Sequence, residues 1–235
     1  MELNNYPLPY PSLSLSLLDA GVEPNTKAAD RIIANMQRTM EHPWSAVEDG
    51  YVFTLDPKNL REPIRRLPNH PWLRTVANIW MKENLLAIVK SRQMITTWTM
   101  DWCHLWLAMF HPGAAVFIQS DVEVKSDEQI QRCEFIYRNI PQGELVLPKL
   151  KNGRATWCYM GFPGLQAYMR GIAQGANQLR QLAASAVLMD EAGFWEKGRE
   201  SFAATKPTVE GGGKVTIMCS ANPGWFRDIC MDEVR

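Results

Sequence analysis

The stretch "AVLMDEAGFW", Ala186–Trp195, decides how this chain is read. Four apolar residues run without polar alternation into two adjacent acids, Asp190 and Glu191, and then into two small residues and two aromatics. Such an unbroken run is the pattern of a strand buried on both faces of a parallel sheet. In open α/β sheets, ligands gather beyond the carboxyl ends of the strands. Two acids emerging there can divide the work. Asp190 can hold Mg²⁺ through its water shell, and Glu191 can orient and deprotonate an attacking water. Two solvated acids capping a helix that starts at Glu196 are the other reading of the stretch, and its partners elsewhere in the chain must decide.

About a hundred residues upstream lies "AIVKSRQMITTW", Ala87–Trp98. A phosphate-binding loop reads G-x-x-x-x-G-K-[ST] after a strand and before a helix. Lys90, Ile95, Thr96 and Thr97 stand at its first, sixth, seventh and eighth positions, and only Thr97 conforms. The context is right: an apolar run, Leu85–Val89, precedes the loop and a helical pattern, Thr97–Phe110, follows it. Anions bind at such a helix N-terminus because free N–H groups and the helix dipole both point outward. Thr97 falls where a hydroxyl ligates Mg²⁺. Lys90 can reach the phosphates from the strand side, and Arg92 adds a second cation. Against this, Ile95 replaces a glycine and restricts the backbone, and Thr96 replaces the usual lysine. An ordinary strand-to-helix turn fits the stretch taken alone. A third segment, "VTIMCSANPGWF" (Val215–Phe226), again runs from apolar strand to small polar residues. Small residues such as Ser220, Ala221 and Asn222 at a strand end can sense a γ-phosphate by hydrogen bonding, and hydrolysis would then move the segment that follows. An ordinary strand-to-turn sequence fits the stretch equally well.

Five strand candidates stand out: Leu85–Val89, Ala114–Ile118, Ala155–Met160, Ala186–Met189 and Val215–Cys219. Helices are expected at Thr26–Met40, Thr97–Phe110, Glu123–Arg138 and Glu196–Thr205. The second of these is apolar nearly all round and so belongs inside the domain. Asn152-Gly153 signals a hairpin pairing Leu145–Lys151 with Arg154–Met160. Strands alternating with helices imply an α/β sheet with crossover helices. The proline-rich stretch before Leu73 forbids long regular structure, and residues 1–50 read as an extension ahead of a domain spanning 51–235.

Lysine plus arginine equals aspartate plus glutamate at 25 each, so no global field favours nucleic acid or membrane. The run Lys58, Arg61, Arg65, Arg66 reads as a solvated face. Five scattered cysteines argue against a disulfide framework or a zinc site. No apolar run approaches the ~18 residues of a membrane span, and no signal peptide opens the chain.

Taken together, "KSRQM", "GANQLRQLAASAVLMDEAGFW" and "MCSANPG" resemble the Walker A, Walker B and coupling motifs of tailed-phage terminase large subunits, over about Val52 to Trp225. That family includes members whose phosphate loop carries its lysine at the first position, which would make Lys90 the displaced lysine. The resemblance implies a P-loop NTPase fold of the ASCE type. It implies an ATPase that drives viral DNA into a procapsid, with ATP as substrate and Mg²⁺ as cofactor.

Residue by residue, the resemblance places phosphate contacts at Lys90, Ser91, Arg92, Gln93, Met94, Ile95, Thr96 and Thr97. It places Mg²⁺ on Thr97 and Asp190, makes Glu191 the catalytic carboxylate, and assigns coupling to Ser220, Ala221 and Asn222. Arg180 matches an arginine offered to a neighbouring subunit's ATP, with a surface ion pair as its other reading and Arg92 as a rival in cis. Phe53, Pro71 and Trp72 would wall the adenine. Implied partners are double-stranded DNA, a portal protein, the small terminase subunit and further copies in a ring, without a membrane, in the cytoplasm of an infected bacterium. The family's nuclease domain has no counterpart before Arg235, so DNA cleavage is not expected of this chain. Two other readings remain open: a helicase-like P-loop ATPase, and a non-hydrolysing remnant that only binds.

Overall fold

The computed structural model describes residues 27–92, 94–141, 143, 147–179 and 183–231. Its elements run, in order, α1 (Lys27–Glu41), α2 (Pro43–Glu48), β1 (Phe53–Leu55), β2 (Ile64–Arg66), α3 (Pro71–Lys82), β3 (Leu85–Lys90), α4 (Thr96–Phe110), β4 (Ala115–Ser120), α5 (Glu123–Asn139), β5 (Tyr159–Phe162), β6 (Ala167–Ala173), β7 (Ala186–Asp190), α6 (Gly198–Ala203), α7 (Lys206–Glu210), β8 (Lys214–Ser220) and α8 (Trp225–Cys230).

Six strands form one sheet in the order β3-β8-β7-β4-β6-β5, and only the β5–β6 pair is antiparallel. β8 therefore lies between the strand that precedes the loop and the strand that ends in the two acids. Period-two alternation sends side chains to opposite faces. Val116, Ile118, Leu188 and Met218 join one apolar core with α1 to α5; Phe117, Val187, Met189, Ile217 and Cys219 join a second beneath the C-terminal segment. The protein is thus a three-layer α/β fold.

Inside the first core lies α4. Every residue from Thr99 to Phe110 is buried. It is covered by β4, β6 and β7 on one side and by α2, α3 and α5 on others. Its indoles keep their polar atoms paired as burial demands: Trp102 Nε1 donates to the Pro43 carbonyl at 2.8 Å, and Trp106 Nε1 donates to that of Thr39. These bonds tie the helix to α1 and α2, so residues 27–48 share the core of the sheet domain.

Some expectations fail for physical reasons. The hairpin about Asn152-Gly153 does not form. Both residues do adopt positive φ (56° and 70°), but they close a single 3-10 turn, and Cys158 at φ 51° breaks the run that follows it. The strand begins only at Tyr159 and pairs with β6 instead. β6 itself was not anticipated; Arg170 interrupts its apolar character. Nor is β3 buried on both faces. As the edge strand it leaves Leu85 and Val89 exposed, since an apolar run carries no information about which strand lies outermost. α3 and the small β1–β2 ladder occupy the proline-rich stretch, with Pro71 at the first turn of α3, where a missing N–H costs nothing. Leu145 and Val146 lie outside the described residues. No helix among the described residues is long and apolar enough to cross a membrane.

Trp102→Ala should destabilise the chain by ~3–5 kcal/mol in urea unfolding. Trp102→Phe, which mainly strands the Pro43 carbonyl, should cost about 1–2 kcal/mol. A Trp102→Phe variant as stable as the native chain would mean that the indole N–H contributes nothing.

Candidate active site

Parallel registration brings three strand ends together. Lys90 pairs with Ser220 across β3–β8, and Asp190 pairs with Met218 across β7–β8. Glu191, one residue past β7, takes a left-handed conformation (φ 55°) that non-glycine residues seldom adopt. From there it meets Lys90 Nζ at 2.6 Å through Oε1. It also accepts hydrogen bonds from the Ser220 amide at 3.0 Å and the Ser220 hydroxyl at 3.2 Å. Lys90 Nζ lies 3.4 Å from Asp190 Oδ1 as well. Asp190 Oδ2 accepts from Gln129 Nε2 at 2.8 Å and from Thr97 Oγ1 at 3.5 Å. One ammonium therefore sits between both acids.

The two acids titrate in opposite directions. Burial would raise Glu191, but the Lys90 hydrogen bond and the Ser220 amide prevail and hold its carboxyl below the usual value. Asp190 is more deeply enclosed, and burial dominates: Lys90 opposes the rise, Glu191 adds to it, and the carboxyl lies above its usual value. For Lys90, burial works against the charge, yet Asp190 and Glu191 outweigh it and keep the ammonium above its usual value.

The phosphate-loop residues surround this cluster. Ile95, at the position a standard loop gives to glycine, takes φ 58° and caps α4. A β-branched residue there stores strain of ~1–3 kcal/mol. Thr96 is buried at the helix start, Thr97 is half-buried, and Ser91, Arg92 and Met94 are exposed. Gln93 and Arg180 lie outside the described residues. A cleft of about 420 Å³ opens over the acids, lined among others by Arg92, Gln129, Arg132, Phe194 and Ser220. Phe53, Pro71 and Trp72 are not among its walls; Trp72 stacks on His70 instead.

Asn222 Nδ2 donates to the Gly193 carbonyl at 2.9 Å, a second tie between the segment after β8 and the acid-bearing turn. Gly193 must be glycine, since a Cβ there would stand 2.7 Å from Cys219 Sγ. Ala221 is exposed. Sequence reading missed Gln129 and Arg132, which line the cleft from α5, and Asp101, which meets Arg132 from inside α4. Helical periodicity shows that such residues share a face, not what the face meets.

The donor set suits Mg²⁺ held with phosphate, because such ions take one or two protein oxygens and leave other positions to water and phosphates. Thr97 and Asp190 supply hard oxygens, and the buried Asp190 Oδ1 accepts no hydrogen bond. Among the described residues no group of three or more acidic, histidine or cysteine side chains could hold a metal unaided.

No family model and no curated protein matches the sequence. Solved structures do match the fold. The HK97 bacteriophage large terminase aligns with TM-score 0.58 at 11% identity, over 82% of this chain and 41% of that one. The ATPase domain of the Thermus phage P74-26 large terminase aligns with TM-score 0.50 at 16% identity, over 69% of each chain. The chain carries the fold of phage large-terminase ATPase domains and spans 41% of the length of the HK97 protein.

A carboxyl held low contributes stability above its unfolded value, 4.5 for Glu191, and loses it as pH falls through the lower folded value. A lysine held high contributes below its unfolded value of 10.5 and loses that as pH rises through the folded one. The stability gap between the native chain and Lys90→Met, from urea unfolding, should therefore be widest between about pH 5.5 and 9 and close below about pH 4. A gap that persists unchanged to about pH 3 would deny the pairing.

Proposed function

We propose that this chain is the ATPase domain of a phage terminase large subunit, hydrolysing ATP to drive viral DNA into a procapsid. One observation carries the reading: Lys90, the Asp190-Glu191 pair and Ser220 converge from three strand ends at the carboxyl edge of the sheet. The fold supports it independently.

The chemistry follows from charge. The phosphates of ATP compete for Lys90 and draw its ammonium from Glu191, and Arg92 at the cleft wall adds a second positive charge. Thr97 and Asp190 hold Mg²⁺, which when bound neutralises charge on the phosphate oxygens. Relieved of Lys90, Glu191 orients a water and accepts its proton as the oxygen attacks the terminal phosphorus, whose bond to the bridging oxygen breaks to release ADP and phosphate. The Ser220 amide and hydroxyl keep that carboxylate aimed. Because Ser220 and Asn222 both bind the acid-bearing turn, a change of charge there is felt at once by the segment entering α8. Ser220 to Asn222 thus form the coupling element.

Arg180 is proposed, on family resemblance, to reach the ATP of a neighbouring copy, where such a group can be worth ~10³–10⁵ in rate. The proposed partners are double-stranded DNA, a portal protein, the small terminase subunit and further copies of the chain in a ring, in the host cytoplasm.

Hydrolysis of ATP by the purified chain with Mg²⁺ tests this. Glu191→Gln and Lys90→Ala should each lower kcat by ~10²–10⁴, and turnover per chain should rise with protein concentration. Binding without turnover would favour a remnant that only binds nucleotide. Undiminished turnover in both variants would overturn the assignment of the site.

A further inference from the structure

Arg132 lies on α5 three residues beyond Gln129 and lines the same cleft. Its guanidinium is held on two sides by α4: the carbon stands 5.8 Å from the centre of the Trp98 ring, and Nη1 stands 3.7 Å from Asp101 Oδ2. The side chain remains about one-third exposed, at 34%, while Asp101 is fully buried.

This is a poor arrangement if stability were its only purpose. Neither Asp101 oxygen accepts a hydrogen bond, and burial pushes its carboxyl up to about 8, with Arg132 pulling the other way. A buried carboxyl with so little compensation is a net cost, whereas a stabilising pair would be short and bidentate. What the arrangement does accomplish is orientation. Trp98 lies against the guanidinium on one side, and Asp101 stands near one of its nitrogens from inside α4.

The charge balance of the cleft gives that orientation a use. Lys125 is tied to Asp121 at 2.6 Å, and Lys90 is shared by Asp190 and Glu191. Among the described residues lining the cleft, Arg92 and Arg132 are the cations without a hydrogen bond to a carboxylate. Arg92 belongs to the loop. Arg132 belongs to α5, whose Gln129 already touches Asp190, and so stands on the element that meets the acids.

We propose that Arg132 contacts the terminal phosphate of a nucleoside triphosphate in cis, with Asp101 and Trp98 as its positioning residues. The assignment rests on the nucleotide reading of the cleft. It makes Arg132 a discriminator between triphosphate and diphosphate, because only the former carries the phosphate it reaches.

Calorimetric titration of the full chain with Mg²⁺ and either a non-hydrolysable ATP analogue or ADP tests this. Arg132→Ala should weaken the triphosphate analogue at least ~10-fold more than ADP, as loss of one charge-assisted phosphate contact implies. Arg132→Gln removes the charge but keeps a polar side chain with its β- and γ-methylenes, and should show the same selective loss even if the alanine variant folds poorly. Asp101→Leu, which keeps the core filled, should lose part of the discrimination and add nothing when combined with Arg132→Gln. Equal weakening of both nucleotides, or no weakening, would overturn the proposal. If Lys90→Ala abolishes binding while the Arg132 variants keep the native ratio, this assignment alone falls. If the native chain binds neither nucleotide, the reading of the cleft falls with it.

Discussion

A single ammonium held between two adjacent carboxylates organises this molecule's functional edge. Asp190 and Glu191 leave β7 side by side, both partly withdrawn from water, and like charges so close cannot both persist without compensation. Lys90 supplies it from two strands away, at 2.6 Å from one acid and 3.4 Å from the other. The contact exists because β8 lies between β3 and β7 in parallel register, which levels the three strand ends. Slipping any of these strands by one residue would turn its side chains to the other face and leave two partly buried acids unpaired.

Around this pairing the fold sets rigid parts against strained ones. α4 is fixed by burial of its residues from Thr99 onward and by indole bonds to α1 and α2, so the helix start that faces the cleft has a firm base. The two residues bordering the site, Ile95 and Glu191, are both held in left-handed conformations. Strain of this kind persists only where the surroundings over-determine it, and it concentrates where a site must hold an awkward geometry. The same turn binds Ser220 and Asn222, so a disturbance of the Glu191 carboxylate passes directly to the segment after β8.

Much of this was legible in the sequence because it lies within single elements. The apolar runs of β4, β7 and β8, the all-round apolar character of α4, and the acid pair at a strand end each report their own burial. What stayed hidden depends on how elements meet. Val89 gives no sign of lying on an edge strand. Asn152 and Gly153 signal a turn truthfully, but the partner of the strand after it is decided by β6, where Gly171 permits close packing on Ser126. Asp101 and Arg132 are thirty-one residues apart in the chain and meet only because α5 packs on α4. Lys90 itself was read as a phosphate cation, and its bond to Glu191 could be inferred only once the strand order was known.

Direct measurement of the affinity of the native chain and of Lys90→Ala for a non-hydrolysable ATP analogue, with and without Mg²⁺, bears most immediately on the central claim. If the strand-end cluster is a Mg²⁺–nucleotide site with a displaced lysine, the native chain binds in a Mg²⁺-dependent manner and Lys90→Ala binds at least ~10-fold more weakly, as loss of a charge-assisted phosphate contact implies. Equal affinities for the two proteins would show that Lys90 serves only to neutralise its acids, and would contradict the account.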